Sequence, residues 1–331
     1  MSRTEQYELN VLYACDENYA PHTGVSITSL LENNRQADSV TIYLAPMEFS
    51  AETVQKMTDL VHHYQRNIVF LDTEKAVERI HAYNCAGWNG SMATWLRFFV
   101  LEQIPEHVHR LLWIDSDTAV CGSLAELMQM DMKDCPVGAV CDSLCFHDRK
   151  RLGMGEDDSY YNAGVLLFDL DVWRPGNLQQ QMMAHLARNV SRYALNDQDL
   201  LNDFFRGRIL RLPVCYNLQG IHLAYTVKQY FSVFRWQPAS FYTPQELQTG
   251  IEHPAIVHFL RFLGNYPWEK GDNLHPAKPL YEEWKKRSPW KDLPAAEPKK
   301  GFLFTAEKML YRILPRGVFL RIFAWVWSRN Y

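Results

Sequence analysis

Six short apolar runs rich in β-branched residues punctuate the first half of this chain: Leu9 to Ala14, Val40 to Ala45, Asn67 to Leu71, Arg110 to Ile114, Val137 to Cys141 and Gly164 to Leu170. Amphipathic stretches separate them, and that alternation is the pattern of strands and helices wound into an α/β fold with a mostly parallel central sheet. Helices are expected over Thr23 to Glu32, Ala51 to Tyr64, Ala93 to Gln103, Val172 to Arg188 and Gln198 to Phe205. In open sheets of this kind ligands gather at the carboxyl ends of strands, so the residues just after each run are the place to look for chemistry. Past Arg208 the pattern loosens into proline-, aromatic- and loop-rich sequence. Residues 1–288 read as one folded unit, Pro289 to Pro298 as a linker, and 299–331 as a separate tail.

Nearly half of the 331 residues are apolar, enough for a sizeable core. Met1 to Glu8 is polar, with no basic segment leading into an apolar one, so nothing here directs secretion. The apolar run Val318 to Trp327 is broken by Arg321 and is much shorter than the ~20 residues of a membrane-spanning helix. The cysteines at 15, 85, 121, 135, 141, 145 and 215 are odd in number and scattered through apolar sequence, as reduced core thiols are. Cys141 and Cys145, with His147 nearby, lack the second pair of a zinc site. On these features the cytoplasm is the expected compartment. The net charge of −4 hides a tail with seven basic residues (299, 300, 308, 312, 316, 321, 329) against Glu307 alone, which is +6 and leaves −10 on the rest. That division argues against nucleic acid as the main ligand and for an anionic surface as the tail's partner.

Three places are chemically loaded. Leu111-Leu112-Trp113-Ile114 delivers Asp115-Ser116-Asp117, two hard carboxylate ligands at a strand end, suited to Mg²⁺ or Mn²⁺ bridging phosphate oxygens. The same pattern serves elsewhere as a solvated turn, or as the nucleophilic aspartate of haloacid-dehalogenase phosphatases; there it usually sits on the first strand, whereas here several elements precede it. Asn162-Ala163-Gly164 enters an apolar strand with small residues, which suits either a tight turn or close approach of a ligand or second strand. Asp197-Gln198-Asp199 opens a helix, where a carboxylate is either an N-cap or a catalytic group. His258, after Ala255-Ile256-Val257, is either structural or the further ligand that a metal on two aspartates wants. Gly153-Met154-Gly155 is not a phosphate cradle, and no Gly-Lys-Ser/Thr loop exists.

Taken in order, these pieces resemble glycosyltransferase family 8, the family of bacterial lipopolysaccharide galactosyl- and glucosyltransferases that also contains glycogenin. The resemblance rests on Ala14-Cys15-Asp16-Glu17-Asn18-Tyr19, Arg97, Asp115-Ser116-Asp117, Tyr161-Asn162-Ala163-Gly164-Val165, Asp197-Gln198-Asp199 and His258-Phe259. It implies a Rossmann-like nucleotide-diphospho-sugar transferase fold of GT-A type. It implies further that Asp16 and Asn18 hold uracil and ribose with Ala14 lining the base pocket, and that Asp115, Asp117 and His258 bind Mn²⁺ or Mg²⁺. Arg97 is expected at the donor phosphate or sugar hydroxyls, Asn162, Asp197 and Gln198 around the transferred sugar, and Asp142 at the acceptor side. One departure stands out. The family usually reads His-Phe/Tyr-x-Gly-x-x-Lys-Pro-Trp, but His258 to Trp268 is two residues longer and has Tyr266 before Pro267. Arg261, Lys270 or heavier reliance on the metal would replace the missing lysine at the diphosphate.

The activity so implied is metal-dependent, retaining transfer of a hexose from a UDP-sugar to a glycan or glycolipid acceptor in lipopolysaccharide or other cell-surface polysaccharide synthesis, on the inner face of the membrane. Gln198 is expected to stabilise the cationic sugar, and the leaving diphosphate oxygen to act as base. The alternatives are the phosphatase above and a peripheral membrane protein that binds nucleotide-sugar without transfer. In the tail, Lys308, Arg312 and Arg316 recur every four residues, with Pro315 expected to interrupt the helix. Phe302, Leu303, Phe304, Leu310, Ile313, Leu314, Phe319, Ile322, Phe323, Trp325 and Trp327 supply apolar surface beside them. This combination suits helices lying in an anionic membrane interface, or else a helix docked on the catalytic domain or in a dimer interface.

Overall fold

A computed structural model describes residues 7–87, 90–144, 148–234, 239–298 and 301–330, with side chains to 326. Cys145, His147, Lys299, Lys300 and the side chains of Trp327 and Arg329 lie outside the described residues. The strands are β1 (Glu8–Asp16), β2 (Ser39–Met47), β3 (Asn67–Phe70), β4 (Arg110–Ile114), β5 (Thr118–Val120), β6 (Val137–Cys141), β7 (Tyr161–Asp169), β8 (Ile209–Arg211), β9 (Leu218–Gln219) and β10 (Ile256–His258). Seven of them form one sheet in the order β3-β2-β1-β4-β7-β6-β8. Its strands alternate side chains between two cores: Val11, Tyr13, Leu112 and Val165 pack on one face, Leu12, Ala14, Trp113 and Leu166 on the other. Burial on both faces is why these runs read as continuously apolar.

The sheet is mixed, since β7 runs antiparallel to both β4 and β6 while the remaining pairs are parallel. This reversal brings the start of β7 to the carboxyl ends of its neighbours. The Asp115 amide donates to the Gly164 carbonyl at 2.8 Å, and the Asp142 amide to the Tyr160 carbonyl at 2.8 Å. Strand β7 begins at Tyr161, so the small residues expected before the strand lie inside it. The second sheet, β5-β10-β9, pairs His258 with Thr118, and the Phe259 amide donates to the Asp117 carbonyl at 2.8 Å.

The helix expected over Val172 to Arg188 is two, Leu170–Trp173 and Leu178–Asn189. Pro175 cannot continue the first, and Asn177 turns the chain in the left-handed region at φ 47°. The stretch Ala93 to Gln103 likewise splits into Ala93–Phe99 and a 3₁₀ turn, Leu101–Gln103. Helix Ala20–Asn33 starts earlier than expected, with Pro21 in its first turn. Its hydroxyls are stitched to the chain around β5: Thr23 Oγ1 donates to Ser116 Oγ at 2.8 Å, Ser26 Oγ lies 2.8 Å from Thr118 Oγ1, and Ser29 Oγ accepts from the Val120 amide at 2.8 Å. The six described cysteines are free, and burial pushes the thiols of Cys15, Cys85 and Cys141 up to about 12.

The segment 289–298, expected as a linker, lies along the domain. Trp290 is buried against helix Ala20–Asn33, its ring filling the space a side chain at Gly24 would take. The Ala296 amide donates to the Trp268 carbonyl at 3.0 Å, and the Ala296 carbonyl accepts from the Lys270 amide at 2.8 Å. The tail forms two helices, Phe302–Ile313 and Arg316–Asn330, interrupted at Pro315 as expected. It is docked: Phe319 and Leu320 are buried in the core, Tyr311 meets Phe262 edge-on at 5.5 Å between ring centres, and Arg312 pairs with Asp272. Among the described residues no helix is long and apolar enough to cross a membrane.

Candidate functional site

A cavity of about 770 Å³ opens where β1, β4 and β6 end and β7 begins. Each of the sequence motifs contributes to its lining, through Ala14, Asp16, Asn18, Arg97, Asp115, Ser116, Asp117, Asp142, Asn162, Asp197, Gln198 and His258. Their grouping follows from topology, because most of these motifs are strand ends and the two sheets bring those ends together.

Asp115, Asp117 and His258 form a candidate metal site, with one ligand atom from each within 4.8 Å of the others. His258 Nε2 lies 3.1 Å from Asp117 Oδ1 and 3.9 Å from Asp115 Oδ2. Asp115 Oδ1 is already engaged, accepting from Trp113 Nε1 at 2.8 Å and Arg97 Nη2 at 2.9 Å, so Oδ2 is the oxygen turned to the histidine. A chain of amides sets the imidazole. Asn162 Nδ2 donates to Asp142 Oδ2 at 2.9 Å, Asn217 Nδ2 to Asn162 Oδ1 at 2.8 Å, and His258 Nδ1 to Asn217 Oδ1 at 3.0 Å. That leaves Nε2 facing the two carboxylates. Burial disfavours the imidazolium, yet the charges of Asp117 and Asp115 more than offset it and hold His258 above its ordinary value. Burial also acts on Asp117, but His258 draws its carboxyl below the usual range.

Arg97 is fully buried and has a partner for every nitrogen. Nε donates to the Thr94 carbonyl at 2.8 Å and lies 3.1 Å from Asp197 Oδ2, Nη1 donates to the Ala163 carbonyl, and Nη2 reaches Asp115. Its guanidinium also sits over the Trp113 ring, 4.5 Å from the ring centre. Asp197 is therefore no helix cap; its helix, Asn196–Phe204, begins without a side-chain cap. Burial pushes its carboxyl up to about 6 in spite of Arg97. Beside it Gln198 accepts from the Ala163 amide at 3.0 Å and from Asn162 Nδ2 at 3.1 Å, while its own amide nitrogen lies 3.4 Å from Asp142 Oδ2. The third residue of that motif, Asp199, is structural in its contacts, clamped by Arg151, Tyr160 and the Leu195 amide.

Residues 10–271 match the family model for glycosyl transferase family 8. The chain belongs to that family. Similar proteins include the lipopolysaccharide 1,2-glucosyltransferase of Escherichia coli strain K12, 26% identical over 290 residues that span 86% of this chain and 79% of that one. The lipopolysaccharide 1,3-galactosyltransferase of Salmonella typhimurium is 25% identical over 293 residues, 82% of each chain. A crystal structure of a galactosyltransferase with donor and acceptor sugar analogues superposes with a TM-score of 0.68 at 21% identity, over 85% of this chain and 96% of that one. The fold is thus the GT-A-like α/β fold, and membership of the family sets aside the phosphatase and non-catalytic alternatives.

Of the two cations considered for the missing lysine, this family 8 glycosyltransferase brings only Arg261 to the cavity. Its guanidinium lies over Tyr266, 4.5 Å from the ring centre, and Nη1 donates to the Gly264 carbonyl at 2.9 Å. Lys270 is half-exposed and paired with Glu297 instead. The loop carrying Arg261 is strained, with Leu260 and Leu263 both at φ 48° and Gly264 at φ 78°. Sequence reasoning missed Trp113 and Tyr225, which line the cavity, and Asn217, which holds His258 from behind it, and missed that the tail's Phe304, Glu307, Phe319 and Phe323 line the cavity too. Trp113 lay within the quoted strand, and no motif marks the others.

Proposed function

We propose that this enzyme transfers a hexose, glucose or galactose, from a UDP-sugar to a saccharide acceptor of lipopolysaccharide or a related cell-surface glycan, with retention of anomeric configuration. The observation that carries the reading is the convergence of Asp115, Asp117 and His258 in a cavity lined by the full set of family motifs. Relatives named for glucose and galactose transfer in lipopolysaccharide support the substrate class.

Ala14 and Asp16, at the end of β1, and Asn18, just beyond it, take the nucleoside. Asp115, Asp117 and His258 would hold Mn²⁺ or Mg²⁺, which when bound supplies positive charge against the two phosphates. Arg261, reaching the cavity from the loop after β10, adds a second cation toward the diphosphate. Asn162 and Gln198, joined by hydrogen bonds to each other and to Asp142 on the acceptor side, make a rigid cradle for the sugar hydroxyls. As the C1–O bond to the β-phosphate breaks and the acceptor oxygen bonds C1 on the same face, the acceptor proton passes to the departing diphosphate oxygen. Both carboxylates near Gln198 are engaged, Asp142 by amides and Asp197 by Arg97, which favours Gln198 as a dipole that stabilises the cationic sugar over a carboxylate nucleophile.

The tail is proposed to rest on an anionic membrane. Phe302 and Leu303 are almost fully exposed, Ile313 and Trp325 more than half, and Lys308, Arg312 and Arg321 accompany them.

A screen of UDP-sugars for slow hydrolysis, with and without EDTA, tests donor and metal together. Hydrolysis of one UDP-hexose, abolished by EDTA and restored by Mn²⁺, is expected. Asp115→Asn and Asp117→Asn should each lower turnover at least a hundredfold in a folded protein; full activity in either removes the metal assignment. NMR of the product should show an α-linkage from an α-linked donor, and a β-linkage would exclude retention.

A further inference from the structure

The tail enters the cavity as well as covering the domain. Phe304, Glu307, Phe319 and Phe323 line the same space as the Asp115–Asp117–His258 cluster. Helix Arg316–Asn330 lies against helix Val227–Val233, whose Tyr230 hydroxyl donates to the Ser143 carbonyl at 2.7 Å. Ser143 follows Asp142, so the tail is anchored to the side of the cavity where Asp142 stands. At the other end Phe304 packs on Gly264, where a methyl group would come within 2.5 Å of its ring.

Glu307 sits among these aromatics. Burial raises its carboxyl above the ordinary value, with Lys308 opposing, yet Lys308 points away to the Asp272 carbonyl at 2.7 Å. Glu307 has no hydrogen-bond or ion-pair partner among the described residues. The buried Tyr225 lines the cavity close enough for the charge of Glu307 to bear on its phenol, and the Tyr225 hydroxyl has no hydrogen-bond partner among the described residues either. A carboxylate only accepts hydrogen bonds. Against a diphosphate it would repel, and Arg261 and the amide cradle already serve the donor. A neutral saccharide satisfies both halves of this wall, since its hydroxyls donate and its C–H face packs on aromatic rings.

We propose that Glu307 and the Tyr225 hydroxyl bind hydroxyl groups of the acceptor saccharide while Phe304, Phe319 and Phe323 pack on its ring, so that the C-terminal tail completes the acceptor subsite. The inference rests on the transferase reading above. The test uses the full chain with Mn²⁺, radiolabelled UDP-glucose and UDP-galactose, and core oligosaccharides released by mild acid from rough lipopolysaccharide as acceptors. Glu307→Gln keeps the shape and should raise the acceptor KM about tenfold. Tyr225→Phe should act in the same direction, and in both variants the donor KM should move less than twofold and the melting temperature should hold. Unchanged acceptor KM in both variants, or an equal rise in both KM values, overturns the inference and leaves the transferase reading intact. Failure of the unsubstituted protein to label any oligosaccharide overturns the proposed acceptor class, and the inference with it.

Discussion

Gly164→Ala is the most discriminating single change, because it adds one methyl group at the point where β7 meets the metal site. A Cβ at this position falls 2.5 Å from His258 Nδ1, closer still to its Cε1, and 2.9 Å from Asn162 Oδ1. The backbone of Gly164 has little room to retreat, since its amide donates to Asn162 Oδ1 at 2.9 Å and its carbonyl accepts from Asp115 at 2.8 Å. Carbon contacts need about 3.5 Å, so the imidazole must withdraw by roughly 1 Å. It would then lose its 3.1 Å approach to Asp117 and its bond to Asn217. Overpacking of this kind costs about 1–3 kcal/mol, and losing ligand orientation typically costs about 10–100-fold in metal affinity. Mn²⁺ titration by calorimetry should show that weakening, together with a lowered melting temperature. Gly155→Ala is the control, for its nearest neighbour would be Asp158 Oδ2 at 3.7 Å. Mn²⁺ affinity within twofold of the unsubstituted protein would mean that β7 yields and His258 is not held as described.

Acid should destabilise the fold through two buried histidines. Burial holds His22, stacked on Trp268 at 3.9 Å, and His222 each at about 3. Between that value and about 6.5 the unfolded chain binds protons that the folded one does not, so stability is present above about pH 6.5 and falls as the pH drops, by about 2 kcal/mol per histidine at pH 5. Urea unfolding at pH 7 and 5 measures this, and His222→Phe should remove about one histidine's share; an unaltered pH slope would contradict it. Arg261→Ala should raise the donor KM about tenfold and Lys270→Ala less than twofold, read in the hydrolysis assay; the reverse order would move the diphosphate contact to Lys270. Replacing Leu303 and Trp325 with serine should weaken co-sedimentation with phosphatidylserine vesicles while leaving the melting temperature within a few degrees, whereas undiminished binding would place the membrane contact elsewhere.

Much of the sheet was legible because β1, β2, β4 and β6 are buried on both faces and therefore spell continuous apolar runs. The direction of β7 was not, since Val165 to Phe168 reads the same whichever way the strand runs. Strands of two or three residues, β5, β9 and β10, are too short to show a period, and the break at Pro175 needed more weight than the periodicity around it. Site residues that come as pairs or triplets at strand ends, such as Asp115 with Asp117 or Asp197 with Gln198, announce themselves. Asn217 does not, because it matters only through His258, 41 residues further on. Glu307 appeared in the sequence merely as the single acid of a basic tail; its interest comes from which way the tail folds back.

Pairing of β5 with β10 makes Asp117 and His258 neighbours although 141 residues separate them along the chain. Closing so long a loop is entropically slow, and nothing local rewards it before the partner strand exists. All seven strands of the large sheet lie before residue 212, so their residues leave the ribosome ahead of β10. Only with β10 in place does the Asp115–Asp117–His258 set close, so a chain that stops short of residue 256 carries the large sheet without the cluster.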